Sequence, residues 1–459
     1  MYLFDPDDSR PIHFMGIGGA GMSALALIAE RRGVAVTGCD SDEAGASSRD
    51  LTSVGFHVGH DSSHLDGARA VVYTAAIKPD HPELEAARES GVPVFRRAEA
   101  LQSLVERGSV VGISGTHGKT TTTAMATDIL AEAGLDPTGI GGGRVAEWQG
   151  NARAGGMKLY VVEADEYDQS FLVLRPKIAV VNSVEGDHME CYGTMERLEA
   201  AFVEFANCAD RVIVGGDDPG AMRVARQLST KVWTVGVGTT CDFQISVLER
   251  TSERSVAVLD SPVAAAQRFE LTVPGLHNIR NAASAMAVAA AMDVDLEQAS
   301  ASLAAFKGVG RRFEIVGEYD GVTVVDDYAH HSTEVIATLG AARQRFPESR
   351  LIAVFQPHLY SRTESLASAL GLALSTADVV IVSEIYAARE KPIPGVSGKM
   401  VVDAVVDAGG VCHWIPELSS VSDFLGGFVK QGDCVITLGA GDITKVGRAL
   451  HETRSGATV

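Results

Sequence analysis

Gly115-Thr116-His117-Gly118-Lys119-Thr120 is the segment whose residue types and spacing speak most directly of chemistry. It follows the apolar run Val110-Val111-Gly112-Ile113 and leads into a stretch of helical character that opens with Thr121, the arrangement of a phosphate loop. Glycines let backbone amides turn inward onto phosphate oxygens, and the helix N-terminus adds positive potential. Lys119 would then neutralise the β- and γ-phosphates of a nucleoside triphosphate, with the Thr120 hydroxyl reaching Mg²⁺. Ile113 stands where the general pattern has its first glycine, so the loop is a shorter variant. Two acidic segments follow, Glu163-Ala164-Asp165-Glu166-Tyr167-Asp168 and Glu185-Gly186-Asp187-His188, each after an apolar run. At the carboxyl ends of parallel strands they would face the phosphates, where carboxylates and a neutral imidazole suit Mg²⁺. Either one alone also reads as a solvated loop.

Other constellations are less specific. Gly16-Ile17-Gly18-Gly19-Ala20-Gly21 is a literal GxGxxG between strand and helix, with Asp40 near the end of the next strand. That pattern seats a diphosphate-bearing nucleotide on a helix N-terminus without saying which, so an NAD(P)-dependent dehydrogenase is one reading. A nucleotide switch without catalysis, built on the phosphate loop, is another. In Gly275-Leu276-His277-Asn278-Ile279-Arg280-Asn281, Asn278 is well placed to cap the Ala-rich helix that follows. Gly310-Arg311-Arg312-Phe313-Glu314 puts two arginines at a boundary, either a linker pair or a charge aimed at a transferring phosphoryl group. Further on, polar residues gather after apolar runs at Asp326-Asp327-Tyr328-Ala329-His330-His331, at Gln356-Pro357-His358-Leu359-Tyr360-Ser361-Arg362 and at Glu384-Ile385-Tyr386. Three such loops at one sheet edge suggest a binding face. Adjacent histidines on a strand face opposite sides, which argues against zinc there.

These segments need parallel sheets to hold them. Short β-branched runs alternate with Ala/Leu-rich stretches throughout, so an α/β fold of mostly parallel sheets is expected. The 459 residues suggest about three domains. Two strand-glycine-helix starts put a Rossmann-like domain at 1–107 and a P-loop domain at 108–313, and a third unit follows at 314–459. RRAEALQSLVERG would be the connecting helix.

A net charge of -20 disfavours nucleic acid and anionic lipid as partners. The six cysteines lack CxxC spacing, which suits a reducing compartment and gives no sign of structural zinc. The acidic start MYLFDPDDSR does not resemble a signal peptide and no apolar run is long enough to span a bilayer, so a cytoplasmic protein is expected.

Taken together, GIGGAGMSALA, GTHGKTTTT, EADEYDQSF, GDHMECYGT, HNIRNA, GRRFE, DDYAHH, QPHLYSR and LGAGDI resemble, in order and spacing, the motifs of the Mur ligases over nearly the whole chain. The resemblance implies an ATP-dependent carboxylate-amine ligase of peptidoglycan synthesis, with a central P-loop ATPase domain and a Rossmann-like C-terminal domain that closes over the nucleotide. It implies small-molecule substrates, UDP-N-acetylmuramate, L-alanine and ATP, with Mg²⁺ as cofactor and Mn²⁺ as a substitute, in a monomer or homodimer. Gly16, Gly18, Gly19, Gly21 and Asp40 would then serve the UDP end. Gly115, Thr116, His117, Gly118, Lys119, Thr120 and Thr121 would hold ATP, and Thr120, Glu163 and His188 the metal. His277, Asn278 and Asn281 map to the adenine site, Arg312 and Asp327 to the nucleotide, and Tyr328, His330, His358 and Arg362 to the closing face. Lys119, Glu163, His188 and Arg312 would carry the catalysis. Later ligases of the pathway have a lysine after the Asp-His motif; here none lies between His188 and Asp210, which fits the ligase that adds the first amino acid. EADEYD, with Tyr167, is also similar to the ligase that recycles murein tripeptide.

Overall fold

The computed structural model describes residues 2–41, 50–264 and 266–455. The chain divides into two compact units. Met1–Leu248, Val256–Glu270 and Ile279–Phe306 form the first; Glu249–Ser255, Leu271–Asn278 and the chain from Lys307 onward form the second.

The first unit opens with a five-stranded sheet of β1 (Ile12–Met15), β2 (Val36–Asp40), β3 (Gly55–Val58), β4 (Ala70–Tyr73) and β5 (Val94–Arg96), in the order 3-2-1-4-5 and parallel throughout. Helix α1 (Ala20–Arg31) follows β1 directly, and α2 (Pro82–Glu89) and α3 (Arg97–Val105) flank β5. β1 and β4 are buried along their whole length, as strands covered on both faces must be. The order reverses beside β1, so the carboxyl ends of β1, β2 and β4 open onto a crevice.

Ten strands form the next sheet: β6 (Ser109–Ser114), β7 (Thr138–Val145), β8 (Gly150–Arg153), β9 (Leu159–Glu163), β10 (Ile178–Val181), β11 (Arg211–Gly215), β12 (Lys231–Gly236), β13 (Phe243–Arg250), β14 (Ser255–Asp260) and β15 (Gln267–Leu271). Their order is 15-14-13-12-11-10-6-9-7-8. β6 lies between β10 and β9, parallel to both. The loops after these three strands are therefore neighbours by construction. Helix α4 (Lys119–Glu132) starts five residues after β6 ends.

The second unit carries six strands: β16 (Glu314–Tyr319), β17 (Val322–Asp327), β18 (Leu351–Phe355), β19 (Val379–Val382), β20 (Cys412–Trp414) and β21 (Cys434–Leu438), in the order 16-17-21-18-19-20. Only β16 pairs antiparallel, with β17. The α/β architecture read from the sequence is the one observed. The apolar run Val110 to Ile113 lies in β6, and RRAEALQSLVERG contains α3. Strands β7, β8, β12, β13 and β15 lack an apolar run sharp enough to mark them. Several are half exposed, such as β13, and β7 is glycine-rich.

Candidate functional site

The phosphate loop joins β6 to α4 through Gly115 and Gly118, at φ 125° and 78°, a region open to glycine and strained for other residues. A Cβ on Gly118 would run into the side chains of Asn281 and Asn182. The amides of the turn are fixed from the next strand's loop. Thr116 N donates to Ser183 O at 2.9 Å and His117 N to Ser183 Oγ at 3.0 Å. Glu185 N donates to Thr116 Oγ1 at 2.9 Å, and His117 Nε2 lies 3.1 Å from a Glu185 carboxylate oxygen. Thr121 is buried, and Asn182 Nδ2 donates to Thr122 Oγ1 at 3.0 Å.

Lys119 leads α4 and its Nζ sits 2.8 and 3.0 Å from the two carboxylate oxygens of Glu166. Burial works against the ammonium, but the carboxylates of Glu166, Asp165 and Glu163 outweigh it and hold its pKa above the ordinary lysine value. Thr120 Oγ1 donates to Glu163 Oε1 at 3.1 Å, and Gly142 N to the other oxygen. Glu163, the last residue of β9, is thus held against the residue expected to share its metal.

His188 begins the short helix after β10 with φ 53°. Donor atoms of His188, Asp165 and Glu166 lie within 4.8 Å of one another. Burial favours the neutral imidazole, yet Glu190, Asp187, Glu166 and Asp165 raise its pKa above the usual histidine value. That concentration of carboxylates is what a divalent cation would neutralise, displacing the imidazole proton. Two donor groups therefore fit Mg²⁺: Thr120 with Glu163, and Asp165, Glu166 and His188. The sequence reading joined Thr120, Glu163 and His188 and did not assign Asp165 or Glu166. Both lie inside EADEYD, whose spacing held the signal.

In the five-stranded sheet, a cleft of about 740 Å³ is lined by Gly16, Gly18, Gly19, Asp40, Thr74 and Lys78 among others. Gly16, at φ 80°, turns the chain after β1, where a Cβ would meet the Thr74 side chain at 2.6 Å. Gly19 is the N-cap of α1. Gly21 makes room for Arg97, whose guanidinium a Cβ would meet at 2.9 Å. Asp40 accepts the Gly18 amide at 2.8 Å with one oxygen and the Ser41 amide at 2.8 Å with the other. It braces the glycine turn as well as lining the cleft. Lys78 and Arg97, cations close to this turn, were not singled out from sequence.

The second unit gathers its own polar ends. Phe313 N and Ala329 N each donate to Asp327 at 2.8 Å, and burial pushes that carboxyl up to about 6. Asp327 therefore serves as a loop brace. Arg311 donates to Asp326 at 3.2 Å, while Arg312 lies 5.0 Å from the Tyr328 ring centre and 3.8 Å from Glu334. His330 stands edge-on to Tyr328 and near His358, which stacks on Tyr386. Arg362 Nη1 is 3.0 Å from His358 Nδ1. The four residues expected at this face thus form one cluster, joined by Tyr386. Helix Leu276–Ala291 begins two residues before Asn278, so Asn278 is no N-cap; its Nδ2 donates to Pro274 O at 2.7 Å. His277 packs against Gly275, and Asn281 against Gly118.

Three family models match in turn: Mur ligase family, catalytic domain, over residues 11–108; Mur ligase middle domain over 113–289; and Mur ligase, glutamate ligase domain, over 311–441. The chain is 44% identical over 458 residues to the UDP-N-acetylmuramate--L-alanine ligase of Cutibacterium acnes, covering 98% of this chain and 97% of that one. It is 43% identical to the enzyme of the same name from Paenarthrobacter aurescens, covering 97% of each. The crystal structure of UDP-N-acetylmuramate-alanine ligase from Thermotoga maritima superposes with a TM-score of 0.84 at 28% identity, covering 98% of this chain and 100% of that one. Phosphate loop, acidic strand ends and relatives agree, and the chain belongs to the Mur ligase family.

Proposed function

We propose that this chain joins L-alanine to the carboxylate of UDP-N-acetylmuramate, converting ATP to ADP and phosphate, as a cytoplasmic step of peptidoglycan synthesis. The observation that carries the reading is its near full-length likeness to ligases of that name, on a chain whose Lys119 leads α4 beside Glu163 and Glu166.

A carboxylate resists attack by an amine because it repels the nucleophile and has no adequate leaving group. In the proposed reaction a carboxylate oxygen attacks the γ-phosphorus of ATP, the bond to the β-phosphate oxygen breaks, and ADP leaves. The neutral alanine amine adds to the acyl phosphate carbonyl, loses a proton, and phosphate departs from the tetrahedral intermediate. Amides at the start of α4 cradle the phosphates, the Thr116 and His117 amides being taken by Ser183, and Lys119, drawn from Glu166, follows the charge onto the leaving oxygen. Mg²⁺ held at Thr120 and Glu163, and at Asp165, Glu166 and His188, would supply charge neutralisation between phosphates. Mn²⁺ has the same ligand preferences.

Residues 1–107 are proposed to take the UDP end at the Gly16 to Gly21 turn, 108–313 the ATP, and 314–459 to complete recognition. Arg312 is assigned to the γ-phosphate, Asp327 to the nucleotide side of the loop it braces, and His277, Asn278 and Asn281 to the adenine. Tyr328, His330, His358 and Arg362 are assigned to the closing face. Phosphate release measured with all three substrates and with each omitted tests the reading. It should require ATP, UDP-N-acetylmuramate and L-alanine together; release indifferent to the sugar nucleotide or the amino acid would overturn it. A panel including serine, glycine and the murein tripeptide settles the amine, with alanine expected to give the highest kcat/KM.

A further inference from the structure

The most unusual chemistry outside the ATP site lies in the five-stranded sheet, where four elements bring histidines, a thiol and a carboxylate together. His13 comes from β1, Cys39 from β2, His64 from the short 3-10 turn after β3, and Glu83 from α2. His13 and Cys39 are 0% exposed and Glu83 1%. A carboxylate so buried is costly without compensation.

We propose that His13, Cys39, His64 and Glu83 form a tetrahedral site for a zinc-class divalent cation. Their donor atoms lie within 4.8 Å of one another. His13 Nε2 is 3.3 Å from both Cys39 Sγ and Glu83 Oε1, His64 Nδ1 is 3.4 Å from Glu83 Oε1, and Cys39 Sγ is 3.7 Å from that oxygen. Zinc bonds to nitrogen, oxygen and sulfur imply tetrahedral edges of about 3.3–3.7 Å, the range of these four separations. The soft thiol and two imidazoles favour zinc, or cobalt as its probe, over magnesium.

The surroundings fit as well. With Nδ1–H donated to Thr37 Oγ1, 3.0 Å away, His13 presents the Nε2 lone pair inward. His60 Nδ1 lies 3.0 Å from the second Glu83 oxygen and orients the carboxylate, while His57 stacks on His64 with ring centres 4.3 Å apart. Burial and the Glu83 charge keep the Cys39 thiol protonated without a cation. Binding would release that proton to solvent. A dication balanced by one thiolate and one carboxylate leaves the buried set neutral. A 3.4 Å contact from the Asp61 amide to His64 Nδ1 is the bond the cation would displace. Cys39 precedes Asp40, and both Asp40 and His60 line the N-terminal cleft, so the cation would stiffen one wall of it.

The test is a Co²⁺ titration of chelator-treated protein in excess Mg²⁺, read by near-ultraviolet absorption. A thiolate-to-cobalt charge-transfer band should saturate at one equivalent per chain and be bleached by Zn²⁺. Cys39→Ser should abolish it, Glu83→Gln should weaken affinity at least tenfold, and Cys191→Ser should leave it intact. The absence of a band from the parent protein, or a band that survives Cys39→Ser, overturns the proposal. If Cys39→Ser fails to fold, the parent decides with Glu83→Gln: a band at one equivalent that weakens in that variant supports the site, and an unchanged band refutes it.

Discussion

Lys119→Met should do two separable things. Its Nζ is 2.8 Å from Glu166, a side chain only 1% exposed, so removing the ammonium leaves a buried carboxylate without its counter-charge. Breaking one side of such a pair costs about 3–5 kcal/mol. The cost depends on pH. With Lys119 gone, burial holds the folded pKa of Glu166 above its unfolded value. The variant is then most stable below the unfolded carboxylate range and loses stability as pH rises through the folded value. Urea unfolding at pH 5 and pH 8 should therefore show the larger deficit at pH 8. In Lys119→Met/Glu166→Gln both charges are gone, and stability should return to within about 1 kcal/mol of the parent at either pH. Turnover should not return, because the cation that stabilises the transferring phosphoryl group is absent; a loss of roughly 10²–10³-fold or more is expected in both variants. Parental stability of Lys119→Met at pH 8 would refute the ion-pair argument. A stable double variant that turned over at near the parental rate would refute the role of Lys119.

Three further outcomes follow from the geometry. Glu163→Gln removes a carboxylate bonded to Thr120 Oγ1, and the Mg²⁺ concentration for half-maximal phosphate release should rise by roughly tenfold; a superimposable Mg²⁺ titration would count against the ligand role. Gly118→Ala forces a Cβ onto φ 78° and into Asn281 and Asn182, so stability should fall by ~1–3 kcal/mol and the KM for ATP should rise, as thermal unfolding and initial rates would show. Asp128 accepts the Trp148 indole N–H at 2.7 Å, and burial pushes it up from 3.8 to about 6. Stability that its protonated form confers is complete below the unfolded pKa and lost as pH rises through about 6, so Asp128→Asn should gain up to about 3 kcal/mol relative to the parent between pH 3.5 and pH 8; an equal pH profile for the two proteins would contradict this.

Much of this was legible in the sequence because it was local. GTHGKT follows its strand directly and runs into its helix, and the buried runs of β1, β4, β10, β18, β19 and β21 mark parallel strands without ambiguity. What stayed hidden depends on long-range pairing. Glu166 is visible as a residue of EADEYD, but its bond to Lys119 follows from β9 pairing with β6, which no local pattern states. The resemblance assigns Asp327 to the nucleotide; that it also accepts the Phe313 and Ala329 amides follows only from the fold of the Arg311 to Phe313 turn. The cluster around Glu83 was invisible for the same reason. Its members are scattered from His13 to Glu83, with none of the short spacings by which zinc ligands are recognised.

The central claim is that a carboxylate of UDP-N-acetylmuramate takes the terminal phosphoryl group of ATP before alanine attacks. Supplying that substrate with ¹⁸O in its carboxylate and weighing the phosphate released tests it most directly. One labelled oxygen should pass into inorganic phosphate for each amide bond formed. Amide formation accompanied by unlabelled phosphate would contradict the account.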